Sequence, residues 1–143
     1  MIEVKKIIAG ETSKIRLEVL RKGIDLPYKF KEDLKEDTFH LGVFYKEKLV
    51  TIATFIKNNL KDLEGEHYQL RGMATLPEVR GKGFGKIIIE EAVKVLKTRG
   101  IKYLWCNARK EVTMFYEKLK FIKVGEEFMV EKVGPHFKMY TKV

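Results

Sequence analysis

Arg80-Gly81-Lys82-Gly83-Phe84-Gly85-Lys86 is the stretch whose reading decides the fold. An apolar run ending in Met73-Ala74-Thr75-Leu76 and closed by Pro77 precedes it, and Ile87-Ile88-Ile89 follows. The order reads as strand, glycine-rich turn, helix start. Glycine admits positive φ and lets backbone N–H groups approach a ligand closely. A helix N-terminus adds unpaired donors and a partial positive charge. Together they form an anion cradle suited to phosphate. A plain surface turn is the other reading of the glycines, and the flanking strand and helix favour the cradle. The dinucleotide fingerprint Gly-x-Gly-x-x-Gly fails in both registers, because its third glycine would fall on Lys86 or on Ile88. A Walker A loop fails too, since Ile87 follows Gly85-Lys86 and Arg80 occupies the upstream glycine position.

Working outward, the 143 residues fit one domain, 1–143, with a true core. An apolar content of 45% and a charged content of 34% describe a globular chain. No apolar run is long enough to span a bilayer, which argues against a membrane partner. The start, Met1-Ile2-Glu3-Val4-Lys5-Lys6, lacks the apolar segment of a signal peptide. The lone Cys106 cannot form an internal disulfide, so a cytoplasmic setting is expected. Three histidines and one cysteine, scattered, give no zinc-type spacing, and no metal is expected. A formal net charge of +9 attracts anions. A small ligand rich in phosphate and a nucleic acid would both suit it, and charge alone does not separate them.

The spacing predicts an edge strand over Glu3 to Ile8, with caps for a helix in Gly10-Glu11-Thr12-Ser13. Ile15, Val19 and Leu20 share the apolar face of that helix and Leu17 lies off it. Arg21-Lys22-Gly23 ends it. Asp25 to Lys35 reads as a loop or short helix, in which Tyr28 and Phe30 either pack or line a pocket. Thr38 to Tyr45 and Leu49 to Ile56 form a hairpin through Lys46-Glu47-Lys48. A polar turn over Asn58 to Glu66 leads into a strand, His67 to Leu76. A helix over Gly83 to Arg99 carries Phe84, Ile88, Ala92 and Val95 as its apolar ladder and stops at Gly100. Ile101 to Ala108 is a buried strand, and the crossover makes it parallel to the strand before the cradle. Val112, Phe115, Tyr116 and Leu119 mark a short helix. Phe121 to Val124 and His136 to Val143 are final strands joined through Gly125 to Pro135.

With the nucleotide motifs eliminated, Arg80-x-x-Gly83-x-Gly85 resembles the Gln/Arg-x-x-Gly-x-Gly/Ala loop that holds the acyl-CoA pyrophosphate in the GNAT N-acetyltransferase family. Ala74-Thr75-Leu76-Pro77-Glu78-Val79 is similar to that family's strand exit. Asn107-Ala108, Phe115-Tyr116-Glu117-Lys118-Leu119 and Phe121 resemble its second half. One position departs: Lys120 stands where glycine is usual. In αL a non-glycine residue costs about 1 kcal/mol. Gly125-Glu126-Glu127-Phe128 and Gly134-Pro135-His136-Phe137-Lys138-Met139 are similar to the ElaA and YjcF branch.

The resemblance implies an α/β acyl-CoA N-acyltransferase fold, a mixed central sheet splayed near the cradle with helices on both faces. It implies acetyl transfer from acetyl-CoA, as co-substrate, to a primary amine. The acceptor would be a small molecule, peptide or protein, and a homodimer is compatible with it. Cofactor contacts would be Arg80, Gly81, Lys82, Gly83, Phe84, Gly85 and Lys86 at the cradle, with Met73, Ala74 and Thr75 on the strand before it. Strand pairing is the other role of those three, and both can hold at once. Asn107 would bind pantetheine or cap the next helix. Tyr116 matches the general acid toward the departing sulfur, since a phenol near pKa 10 can protonate a thiolate. It also lies on the apolar stripe of its helix, where packing alone would explain it. Base candidates are Glu66, His67, Glu78, His40 and His136, or a water relay. Cys106 sits in an apolar run and reads as buried, not nucleophilic, which favours direct transfer over a covalent route. A non-catalytic CoA-binding sensor is the second reading. A basic nucleic-acid-binding domain is the third, ranked lowest because no aromatic RNA-binding motif or recognition helix appears.

Overall fold

The computed structural model describes residues 1–143. Seven strands form one sheet in the order β1-β2-β3-β4-β5-β7-β6. They are β1 (Ile2–Ile7), β2 (Phe39–Tyr45), β3 (Lys48–Lys57), β4 (His67–Thr75), β5 (Tyr103–Arg109), β6 (Ile122–Val130) and β7 (Gly134–Lys142). Only β4 and β5 run parallel, and every other neighbour is antiparallel. The crossover between them contains α2 (Phe84–Thr98), as the strand-helix-strand reading requires. The remaining helices are α1 (Ser13–Ile15), lengthened by a 3-10 turn before it and a π turn (Arg16–Leu20) after it, and α3 (Thr113–Lys118).

The β2–β3 hairpin closes through Lys46 and Glu47, whose φ values are 51° and 67°. Both central residues at positive φ suit the right-handed twist of the strands, although neither is glycine. Residues Val50 to Ile56 of β3 are all buried. Such a continuous run means both faces of the strand are covered. One cover is α2, which buries Phe84, Ile88, Ile89, Ala92 and Leu96. The Phe, Ile and Leu side chains among these each contribute about 1.5–3 kcal/mol when taken out of water. The fourth rung of the ladder is therefore Leu96, since Val95 is only half-buried.

α2 and α3 end alike. Ile101 donates its amide to the Leu96 carbonyl and Gly100 donates to Lys97. Phe121 donates to Tyr116 and Lys120 donates to Glu117. This is the Schellman pattern, with the left-handed residue just beyond the helix. Gly100 fills it in one case at φ 70° and Lys120 in the other at φ 73°. The strain expected from the missing glycine is present.

The connector expected over Gly125 to Pro135 is a correction. β6 continues to Val130 and only Glu131 to Val133 turn the chain into β7. A bulge between Val124 and Phe128, at Gly125 with φ 77°, interrupts the pairing. β6 is an edge strand with nearly every side chain outside the core, so it lacks the alternation that marks a half-buried strand.

The sheet splits where the site lies. β4 pairs with β5 only from His67↔Tyr103 to Leu70↔Cys106. Beyond that, β4 stays with β3 as far as Thr75↔Thr51, and β5 stays with β7 as far as Arg109↔His136. A second bulge places Gly72 and Met73 opposite Ala53, with Gly72 at φ 61°. A Cβ on Gly72 would lie 3.0 Å from the Phe30 ring, so this glycine is needed for both backbone and space.

Candidate active site

The split opens onto a cavity of about 1010 Å³ that reaches both sides of the sheet gap. Met73, Ala74 and Thr75 line it. Their strand is paired to β3 on one edge and to nothing on the edge facing β5. Strand pairing and ligand binding are thus available together, one on each edge.

The cradle follows. Gly81 and Gly83 take φ of 83° and 81°, and an added Cβ at either would meet no protein atom within 4 Å. Gly83 is the N-cap of α2 and no side chain caps that end. The first-turn amides therefore have neither an intrahelical acceptor nor a capping group. Open space before unpaired N–H donors fits a pyrophosphate. Gly85 serves a different need, since its Cβ would come 3.0 Å from the Phe115 ring, and the missing side chain lets α3 approach α2. Arg80 lines the cavity and donates from Nε to the Thr75 carbonyl at 3.2 Å. Phe84 is buried against Tyr45, with ring centroids 5.4 Å apart, and anchors the helix start at the cavity wall. Lys82 and Lys86 are exposed beside the cradle and do not line the cavity. Their side chains add long-range attraction to an anion there, while the Lys86 amide is one of the unpaired first-turn donors.

Asn107 and Tyr116 line the cavity from the β5 side. Asn107 lies within β5, and the residues before the 3-10 turn and α3 are Arg109 and Val112. Its helix-capping role is therefore excluded. Tyr116 is 7% exposed and packs edge-on to Phe115 and Phe121, at 5.0 and 5.2 Å. The Schellman turn that carries Phe121 fixes this packing. Core packing and a place at the cavity wall coexist in one residue. Burial pushes the Tyr116 phenol well above its usual pKa, with Cys106 adding to the effect. The hydroxyl therefore holds its proton through the neutral range. Cys106 is buried, and burial raises its thiol to about 12 against a smaller opposing hydrogen bond from Tyr116. It is not a thiolate near neutrality.

Among the base candidates, His136 alone lines the cavity. Its Nδ1 lies 2.8 Å from the Gly134 carbonyl, so Nδ1 carries the hydrogen and Nε2 is left as acceptor. His67 is fully buried, accepting from the Leu60 amide at Nδ1 and donating from Nε2 to the Glu64 carbonyl. Glu66 pairs with Lys57 at 3.0 Å, at the far end of β4. Glu78 pairs with Lys48 at 3.4 Å on the surface. His40 is bound into the Arg16 network and donates to the Asp33 carbonyl at 3.0 Å.

That network escapes sequence reasoning. Arg16, 1% exposed, donates to both carboxylate oxygens of Asp33 at 2.7 and 2.9 Å, and to the Thr54 hydroxyl at 2.7 Å. Thr54 in turn bonds His40 Nδ1 at 2.8 Å. Burial pushes the Asp33 carboxyl up, but the Arg16 hydrogen bond, the Phe30 amide and the charges of Arg16 and His40 together hold it below its usual range. Phe30 lies between two guanidiniums, 3.9 Å from Arg16 and 4.1 Å from Arg71 at the ring centroid. It also lines the cavity, which Tyr28 does not. An arginine one step from Ile15 on a short helix gives no sequence signal of burial.

A sheet that splits between two parallel strands, beside a glycine cradle at a helix start, defines the acyl-CoA N-acyltransferase fold. The chain belongs to the Acetyltransferase (GNAT) family, whose pattern matches residues 12–121. It is 41% identical over 142 residues to the uncharacterized N-acetyltransferase YitI of Bacillus subtilis (strain 168), across 98% of this chain and 95% of that one. The crystal structure of Escherichia coli ElaA superposes with a TM-score of 0.80 at 22% identity, covering 98% and 99% of the two chains. The PaiA N-acetyltransferase of Thermoplasma acidophilum, solved in complex with coenzyme A, superposes at 0.75 with 19% identity, covering 100% and 99%. The expected family and fold are borne out. No helix of the chain is long and apolar enough to cross a membrane.

Proposed function

We propose that this chain, an acyltransferase by family, transfers an acetyl group from acetyl-CoA to a primary amine in a ternary complex, in the cytoplasm. The observation that carries the proposal is the free edge of Met73–Thr75 lying between the α2 cradle and Tyr116 in one cavity. The α2 amides and Arg80 would hold the pyrophosphate. The free amides of β4 would bind pantetheine and polarise the thioester carbonyl. Asn107 would bond pantetheine from across the gap. His136 Nε2 would take the proton from the acceptor ammonium, directly or through water. The neutral amine then attacks the carbonyl carbon, the C–N bond forms and the C–S bond breaks; the Tyr116 hydroxyl gives its proton to the leaving sulfur, and the surplus proton on the new amide nitrogen passes through water to restore that hydroxyl. Cys106, buried and protonated, offers no covalent route.

The test is release of free CoA thiol from acetyl-CoA across a panel of amines, with calorimetric binding in parallel. Acceptor-dependent thiol release with a single mixed kinetic order supports direct transfer. Tight acetyl-CoA binding with no release for any amine would make the chain a sensor. Indifference to acetyl-CoA, with oligonucleotide binding instead, would move the assignment to nucleic acid.

A further inference from the structure

Beyond the cradle, the cavity lining carries Arg21, Lys29, Lys31, Arg71 and Arg109 against a single carboxylate, Glu32. The imbalance is local as well as numerical. Arg71 begins the stretch of β4 that has left β5, and Arg109 ends β5 opposite His136. The two guanidiniums therefore flank the gap on its two sides. Phe30 holds Arg71 by its face, and Gly72 leaves the room for that ring. On the other face of Phe30, Arg16 spends Nη1 and Nη2 on Asp33, Thr54 and the Tyr28 carbonyl, and only its buried Nε is left without a bond. Arg71 makes no side-chain hydrogen bond, and its one partner is Glu32, in a long ion pair that leaves its donors unspent. Its Nη1 ends 3.6 Å from Glu32 Oε1, beyond hydrogen-bonding distance. That same carboxylate oxygen is buried without a hydrogen bond. Arg21 spends Nε and Nη1 on the carbonyls of Pro27 and Leu20, which fixes it at the cavity wall.

We infer that the acceptor amine carries an anionic oxygen group, a carboxylate or a phosphate, and that Arg71 binds it, with Arg21 and Arg109 completing the subsite. This rests on the acyl-transfer reading and adds the chemical class of the acceptor. A planar guanidinium with free donors suits a two-oxygen anion, which it meets with two parallel hydrogen bonds. The ring contact orders the arginine beforehand, so less entropy is lost on binding. Burial lowers the Arg21 pKa, and the charges of Arg109, Arg71 and Arg16 lower it further. The guanidiniums thus repel one another, and an anion between them relieves that repulsion. The subsite is separate from the pyrophosphate cradle. Arg71 lies upstream of Met73–Thr75 on β4, whereas Arg80 and the α2 amides lie downstream.

The experiment compares matched acceptors: amino acids against amines lacking the carboxylate, and aminoalkyl phosphates against the corresponding amino alcohols. The readout is kcat/KM by thiol release in the wild type, Arg71→Gln and Arg71→Lys. One anionic class should exceed its neutral match by roughly tenfold or more, the scale of a charge-assisted hydrogen bond. The class that does so identifies the group. In Arg71→Gln the ratio should fall toward one, chiefly through KM, and Arg71→Lys should restore part of it. A wild-type ratio at or below one for both classes, or a ratio unchanged in Arg71→Gln, overturns the assignment. Calorimetry of N-acetylated products with and without the anionic group, in the presence of CoA, reads the subsite without turnover. Preferential binding of the anionic product with no thiol release would keep the subsite and sink the transfer reading. Thiol release without any anion preference would do the reverse.

Discussion

The two sides of the cavity are built in opposite ways. The proposed cofactor side is mostly continuous chain, a strand, a glycine turn and a helix start within residues 67–98, with Asn107 added from β5. It would act mainly through backbone groups, so what it needs from side chains is mostly their absence. The proposed acceptor side is assembled from a π turn, a loop, a strand and the ends of two more strands, and it would act through side chains. Arg16 and Thr54 are 38 residues apart and touch at 2.7 Å. A backbone site is written locally and survives drift of its neighbours. A side-chain site depends on long-range placement, and small changes there alter what it accepts.

The largest expected effect is on the frame of the acceptor side. Arg16→Met keeps an apolar stem but leaves Asp33 buried without its guanidinium, which should destabilise the fold by about 3–5 kcal/mol. Urea unfolding measures it, and a loss below about 0.5 kcal/mol would mean the network is ornamental, since that is the range of ordinary surface changes.

Tyr116→Phe sharpens the contrast on the other wall. The ring remains against Phe115 and Phe121, so the melting temperature should hold. Turnover should drop roughly 10²-fold if the hydroxyl protonates the leaving thiolate, while acetyl-CoA affinity barely moves. Unchanged turnover would leave water as the proton donor. A large fall in melting temperature with no separate kinetic effect would reduce Tyr116 to packing.

The smallest effect concerns the turn behind Tyr116. Gly100 and Lys120 occupy equivalent turns, and only one is glycine. Lys120→Gly should stabilise by about 1 kcal/mol, the cost of a left-handed non-glycine residue. A neutral or destabilising result would mean that the lysine side chain compensates for its own strain.

The same division governs what was legible in the sequence. The cradle, the parallel crossover, the hairpin and the Tyr116 helix follow from periodicity and turn chemistry, because each is local. The strain at Lys120 was also legible, as a residue out of place in a known turn. β6 was not, because an exposed edge strand broken at Gly125 loses its alternation. Leu96 displaced Val95 because the buried row Phe84, Ile88, Ala92, Leu96 keeps the i, i+4 step to its end, where Val95 breaks it. The choice among five candidate bases needed three dimensions. His67 and His40 are spent on carbonyls and hydroxyls, Glu66 and Glu78 on surface lysines, and His136 alone reaches the cavity. Nothing in the spacing of Arg16, Phe30 and Arg71 announces that they stack.

The open space before Gly83 is the proposed acyl-CoA phosphate site. Calorimetric titration of acetyl-CoA into the wild type and Gly83→Asp tests it most directly. No protein atom lies within 4 Å of a Cβ at Gly83, so the variant should fold, losing only about 1–2 kcal/mol to its left-handed backbone. Its carboxylate would occupy the phosphate position and repel the ligand. The wild type should bind saturably and the folded variant not at all. Equal affinity in the two proteins would contradict the assignment.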